Sequence, residues 1–158
     1  MSKQLETAID AAWEKRDGIN SGTKGEVRDA VETAIKGLDD GTYRTAEKIG
    51  SEWHVNQWLK KAVLLSFRLY DSVPMDGGAS FPGLGGSPWF DKVPLKTTGW
   101  DAARFAKAGF RAVPGSVIRR GSYVAPSVVV MPSFINLGAY VDSGRSEEHT
   151  SELQSRFG

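Results

Sequence analysis

VIRRGSYVAPSVVVMPSFINLGAYV, residues 117–141, repeats one pattern every six residues. Val117, Tyr123, Val129, Ile135 and Val141 make an apolar column, and Gly121, Ser127, Ser133 and Ala139 a column of small side chains. Pro126, Pro132 and Gly138 make a third column, of turn formers. Period six with an apolar, a small and a turn position is the pattern of a parallel β-helix built from hexapeptides. Each hexapeptide supplies a short strand and a corner. The spacing predicts that the apolar column points inward and stacks from coil to coil.

The pattern then stops. Where the columns require a small residue and an aliphatic one, the chain has Arg145 and Glu147, and RSEEHTSELQSRFG (145–158) brings only Leu153 back into register. A solenoid that ends naturally is expected to carry a capping element, and this stretch offers none. The expectation is a truncated chain with a non-native tail at 145–158. Its last coil would be open above Val129, Ile135 and Val141, an exposed sheet end that favours poor solubility or self-association.

Upstream the periodicity is helical. Leu5, Ile9, Ala12 and Trp13 predict a helix from Lys3 to about Arg16, and Val27, Val31, Ile35 and Leu38 a second over Lys24–Leu38. The short polar connection Asn20–Thr23 favours an antiparallel pair. Tyr43–Ile49 and Glu52–Val55 read as a hairpin about Gly50-Ser51. Gln57–Leu69 reads as a third helix, apolar nearly all round and so expected at the centre of a small core, with Trp13, Trp53 and Trp58 as its aromatic bulk. Asp71–Pro88, rich in glycine and proline, is expected to be a long surface loop. Asp101–Ala108 reads as a short helix with Asp101 as N-cap and Gly109 as its stop. The divisions expected are 1–70 (α-rich), 71–112 (loop and linker with a short helix), 113–144 (repeats) and 145–158 (tail).

Composition narrows the chemistry. Twenty Lys and Arg against nineteen Asp and Glu leave +1, so no electrostatic case exists for nucleic acid or an acidic membrane. The absence of cysteine excludes a disulfide scaffold and cysteine-ligated metal and fits a reducing, cytoplasmic setting. Apolar runs such as Ala62–Leu65 are far too short to span a bilayer. Gly77-Gly78 and Gly85-Gly86 do not lie between a strand and a helix, so they make no phosphate loop. His54 reads as a solvent-facing strand residue and His149 falls in the tail. No histidine pairing points to a metal. Asn136 and Asp142, one residue after the apolar column, read as structural polar residues bonding neighbouring backbone. Read from its own context, Arg111 is an ordinary surface arginine at a strand start, and Arg119 and Arg120 are solvated corner residues.

Four stretches carry more than the repeat does: AEKIGSEWHVNQWLKKAVLLSFRL (46–69), WFDKVPLK (89–96), ARFAKAGFRAVPGSVIRRGSYVAP (103–126) and VMPSFINLGAYVDSG (130–144). Through them the chain resembles the tetrahydrodipicolinate N-succinyltransferases of bacterial lysine and diaminopimelate biosynthesis, from about Lys3 to Gly144. The resemblance implies an α+β chain: an N-terminal helical domain followed by the start of a left-handed parallel β-helix. It further implies a homotrimer, a small-molecule dicarboxylate substrate, succinyl-CoA as co-substrate with no resident cofactor, and no nucleic-acid or membrane partner. In the motif Gly109–Arg111, Arg111 matches the family's substrate-binding arginine. The family's reaction-centre carboxylates and CoA groove fall beyond Gly144, so no catalytic residue is expected within this chain and it is expected to be inactive alone. Arg145–Ser155 also resembles the in-frame translation of a sequencing-library adapter, and Glu147 and Glu148 inherit no role. Two other readings stand beside this one: a different hexapeptide acyltransferase, and a non-enzymatic trimerising binding module.

Overall fold

A computed structural model describes residues 2–75 and 89–144. The expectations for the tail, His149, Glu147 and Glu148, and for the glycine pairs between 76 and 88, lie outside the described residues.

Three helices build the first core. Helix α1 (Ser2–Glu14) ends in a 3₁₀ turn at Arg16–Gly18, and α2 (Glu26–Asp39) follows. Strands β1 (Ala46–Ile49) and β2 (Glu52–Val55) pair antiparallel about Gly50-Ser51, and α3 spans Gln57–Leu69. Ile9, Val31, Ile35, Leu38, Leu59 and Leu65 are buried together where the three helices meet. Helix α3 is not buried all round. It sinks Trp58, Leu59, Ala62, Leu65, Ser66 and Leu69, whereas Leu64 stays 49% exposed. An apolar composition does not fix which face finds a partner. Trp53 is a second correction: at 70% exposure it lies outside the core, because among the described residues nothing packs on that side of the β1–β2 ribbon. Trp58 is buried, with its ring edge-on to Tyr43 at 5.3 Å, and Trp13 packs at the margin. His54 is exposed, as read from sequence.

The segment expected as a surface loop over Asp71–Pro88 begins with a strand. Strand β3 (Val73–Met75) pairs antiparallel with β4 (Trp89–Asp91). Helix α4 (Ala102–Ala108) follows; the Asp101 carboxylate accepts the Arg104 N–H at 2.8 Å, and Gly109 ends the helix in the left-handed region.

Six two-residue strands follow among the described residues: β5 (Arg111–Ala112), β6 (Val117–Ile118), β7 (Tyr123–Val124), β8 (Val129–Val130), β9 (Phe134–Ile135) and β10 (Tyr140–Val141). They pair parallel as β5 with β8, β6 with β9 and β7 with β10, so the chain returns over itself after every third strand. The residues that stack inside are Ile118 on Ile135 and Val124 on Val141, whereas buried Val130 pairs with an Ala112 that stays exposed. Ile118, Val124 and Val130 are nearly inaccessible, whereas Val117, Tyr123 and Val129 are only partly covered. The strict count of six therefore mixes two columns: Ile135 and Val141 belong with Ile118 and Val124, not with Val117 and Tyr123.

The cause is a corner one residue short. Left-handed backbone recurs at Gly109, Gly115, Gly121 and Ser127, is skipped at Pro132-Ser133, and resumes at Gly138 and Gly144. Gly138 accordingly stacks on Gly121, donating its N–H to the Gly121 carbonyl at 2.9 Å, and does not continue the Pro126–Pro132 column. At the short corner the Ser133 hydroxyl bonds the Met131 carbonyl at 2.7 Å. Trp100, Phe105 and Phe110 close the lower end of this second core, with centroids 5.1 to 6.2 Å apart.

Helix α2 locks the two cores together. Asp39 accepts the Gly121 N–H at 2.7 Å and pairs with Lys96 at 2.9 Å, and Glu32 pairs with Arg120 at 2.6 Å, with Ile35 between them on the same helix face.

Candidate substrate site

Arg111 opens β5, immediately after the stop of α4. Its main chain is tied down, N–H to the Val128 carbonyl at 2.9 Å. Its side chain is exposed and, among the described residues, makes no hydrogen bond or ion pair. A guanidinium on a fixed strand, with its donors unspent, has the geometry to take a carboxylate through two parallel N–H···O bonds.

The two other arginines of the repeat are spent. Arg119 does not float in solvent: Nη2 reaches Asp91 Oδ2 at 2.6 Å, Nη1 reaches Asn136 Oδ1 at 2.8 Å, and the group lies between the Phe67 and Phe134 rings at 5.8 and 5.9 Å. Asp91 is held below the ordinary carboxylate range; burial opposes this, and the Lys92 N–H and Arg119 outweigh it. Arg120 binds Glu32, whose other oxygen accepts the Tyr70 hydroxyl. Both therefore correct the sequence reading, because each finds a carboxylate on a distant element. Asn136 and Asp142 behave as expected, accepting the N–H groups of Leu137 and Ser143 at 2.9 and 2.8 Å.

Glu32 sits where the two cores meet. Burial by itself raises its pKa, but bonds from Tyr70 and Arg120 and the charge of Arg28 win and hold it below its usual 4.5. A lowered carboxylate contributes stability that is complete above the unfolded value and is lost as pH falls through the folded one. Glu32→Gln should therefore lower the urea midpoint at neutral pH, and the gap from the parent should close as pH drops below about 4.5. Urea titrations at stepped pH check this; a gap of constant size down to the acid limit would contradict it.

Two open hollows flank the strands. One, about 560 Å³, is lined by Trp89, Phe90, Val117, Arg119 and Phe134. The other, about 1000 Å³, lies between α2 and α4 and carries Lys36, Lys96, Arg104 and Lys107 beside Asp39 and Asp40. Arg111 lines neither. Among the described residues no group of three His, Cys, Asp or Glu could hold a metal ion, and no helix is long and apolar enough to cross a membrane.

A family model described as the N-terminal region of tetrahydrodipicolinate N-succinyltransferase matches residues 4–69, the three-helix core with its hairpin. The chain is 63% identical over 141 residues to the 2,3,4,5-tetrahydropyridine-2,6-dicarboxylate N-succinyltransferase of Paramagnetospirillum magneticum, an overlap of 89% of this chain and 48% of that protein. Over that overlap the chain is similar to the tetrahydrodipicolinate N-succinyltransferases. The proteins of the same name from Methylorubrum populi and Caulobacter vibrioides are 60% and 55% identical, each over 89% of this chain and 48% and 50% of their own lengths. The chain thus spans about half the length of the curated succinyltransferases it matches. Within this overlap, sequence reading picked out Arg111 by motif. It missed Glu32, Asp91 and Lys96 as partners across the junction, since nothing local marks a carboxylate whose arginine lies 88 positions away.

Proposed function

We propose that this chain forms part of a succinyltransferase that moves the succinyl group of succinyl-CoA onto the amino group of ring-opened tetrahydrodipicolinate, in lysine and diaminopimelate biosynthesis. The identity of 63% over 141 residues to a protein of that name carries the reading. Arg111 holds a substrate carboxylate, and its free donors support this. In the reaction the amine nitrogen attacks the thioester carbonyl and gives up a proton to a general base. The tetrahedral oxyanion collapses, and the CoA sulfur leaves and is protonated. The base and the CoA groove belong to family segments that follow the equivalent of Gly144. The strands pairing at every third position support a left-handed parallel β-helix, with a homotrimeric, cytoplasmic enzyme as the working form.

The test joins residues 1–144 in frame to the remaining half of the Paramagnetospirillum magneticum protein and follows release of free CoA thiol. The joined chain should release thiol only when both succinyl-CoA and the amine substrate are present. The 158-residue chain should release none. Turnover by the 158-residue chain, or a folded joined chain without turnover, contradicts the proposal.

A further inference from the structure

The helical core receives the repeat corners one above another. At the first corner Gly121 lies against Ile35, a Cβ there falling 3.1 Å from Ile35 Cγ2, and bonds Asp39. At the second, Leu137 is buried among the helices, Gly138 abuts Thr45 and Val63, and the Thr45 hydroxyl bonds the Gly138 carbonyl at 3.1 Å. The contacts climb from α2 to the start of the β1–β2 ribbon and the middle of α3. The same wall continues upward past the second corner, where no described residue covers it. Beyond Leu137 and Gly138 it forms a groove of about 470 Å³ walled by Thr45, Ala46, Val55, Lys60, Val63 and Leu64. Val55 and Leu64 are each 49% exposed there.

We infer that this groove is the seat for the corner of a third coil, supplied by a chain that continues the repeat beyond Gly144. Three observations select that occupant. The groove is continuous with the interface already filled by two corners. The step that sets Gly138 on Gly121 sets the next corner above Gly138, at the groove's floor. The relatives are about twice the length of the matched region, so they have chain to supply it. Apart from Thr45 and Lys60 the wall is apolar, so the corner residue it takes is aliphatic, as Leu137 is at the second corner, followed by a residue in left-handed backbone as Gly138 is. The inference rests on the coiled reading of the repeats and not on the acyl transfer itself.

The chain contains no cysteine, so single thiols report without background. Val55→Cys and, as a control at the exposed ribbon end, Glu52→Cys are placed in the 158-residue chain and in residues 1–144 joined to a cysteine-free second half of the relative. In the 158-residue chain both should react rapidly with a soluble disulfide reagent. In the joined chain Val55→Cys should slow by about tenfold or more while Glu52→Cys keeps its rate, since burial under a packed coil demands local opening before reaction. Hydrogen exchange on the unsubstituted chains gives a second measure, with added protection expected at β2 and Leu64. Equal labelling of Val55→Cys in both chains, or unchanged exchange, overturns the inference. So does protection in the 158-residue chain that grows with its concentration, which would give the groove to a second copy. Val55 protection in a joined chain that transfers no succinyl would sink the proposed function and leave this seat standing.

Discussion

Arg111→Ala in the joined chain should lower kcat/KM by about 100- to 1000-fold, the scale of losing a charge-assisted, two-point hold on a carboxylate. The loss should appear mainly in KM if the carboxylate is held equally in ground and transition states, and in kcat if the hold also aligns the amine. Arg111→Lys keeps the charge and loses the planar fork, so it should recover only part of the activity. Folding should be untouched by either change, because the side chain makes no bond among the described residues. Steady-state kinetics with matched circular dichroism checks both halves. An Arg111→Ala enzyme within about threefold of the parent would remove Arg111 from the substrate site.

Gly121→Ala should be the most damaging small substitution in the stacked strands, at about 3 kcal/mol. Gly121 has φ +83°, a region costing an L side chain about 1–2 kcal/mol. A Cβ would also stand 2.0 Å from Leu137 Cδ1. Leu137 is buried against the helices, so swinging it away opens the junction instead of absorbing the clash, an overpacking cost of about 1–3 kcal/mol. Gly50 is the control: φ is +64° and nothing lies within 4 Å of its added Cβ, so Gly50→Ala should show the backbone cost alone. Urea denaturation of the two variants separates the terms. Leu137→Ala added to Gly121→Ala should restore part of the loss, a coupling that distant sites lack. If Gly121→Ala proves no worse than Gly50→Ala, the corner-on-corner packing described here is wrong.

What the sequence disclosed depended on how local the cause was. Helix α3 runs over the residues its apolar spacing predicts, and α4 is bracketed by the Asp101 carboxylate that caps it and by Gly109, whose missing Cβ permits the left-handed stop. The six-residue period was plain, but its frame was not. Val128, Val129 and Val130 are three valines in a row, so an inward column can be drawn through any of them. The short corner at Pro132-Ser133 then moves the count across by one without breaking the look of the repeat. Arg119 and Arg120 were misread because exposure is a property of the assembled surface, and their partners sit on β4 and α2. Trp53 fails in the opposite sense: a large aromatic reads as core, yet the ribbon's outer face meets nothing among the described residues. Arg111 was visible only through a motif, since a free guanidinium on a strand looks the same in sequence whether or not a ligand uses it.

The most direct test offers the joined chain two donors and weighs the product. With succinyl-CoA and the ring-opened dicarboxylate amine, thiol release should be matched one for one by an N-succinyl product in the mass spectrum. Acetyl-CoA should turn over far more slowly. A folded joined chain that acetylates in preference, or that leaves the amine unmodified with succinyl-CoA, would contradict the assignment.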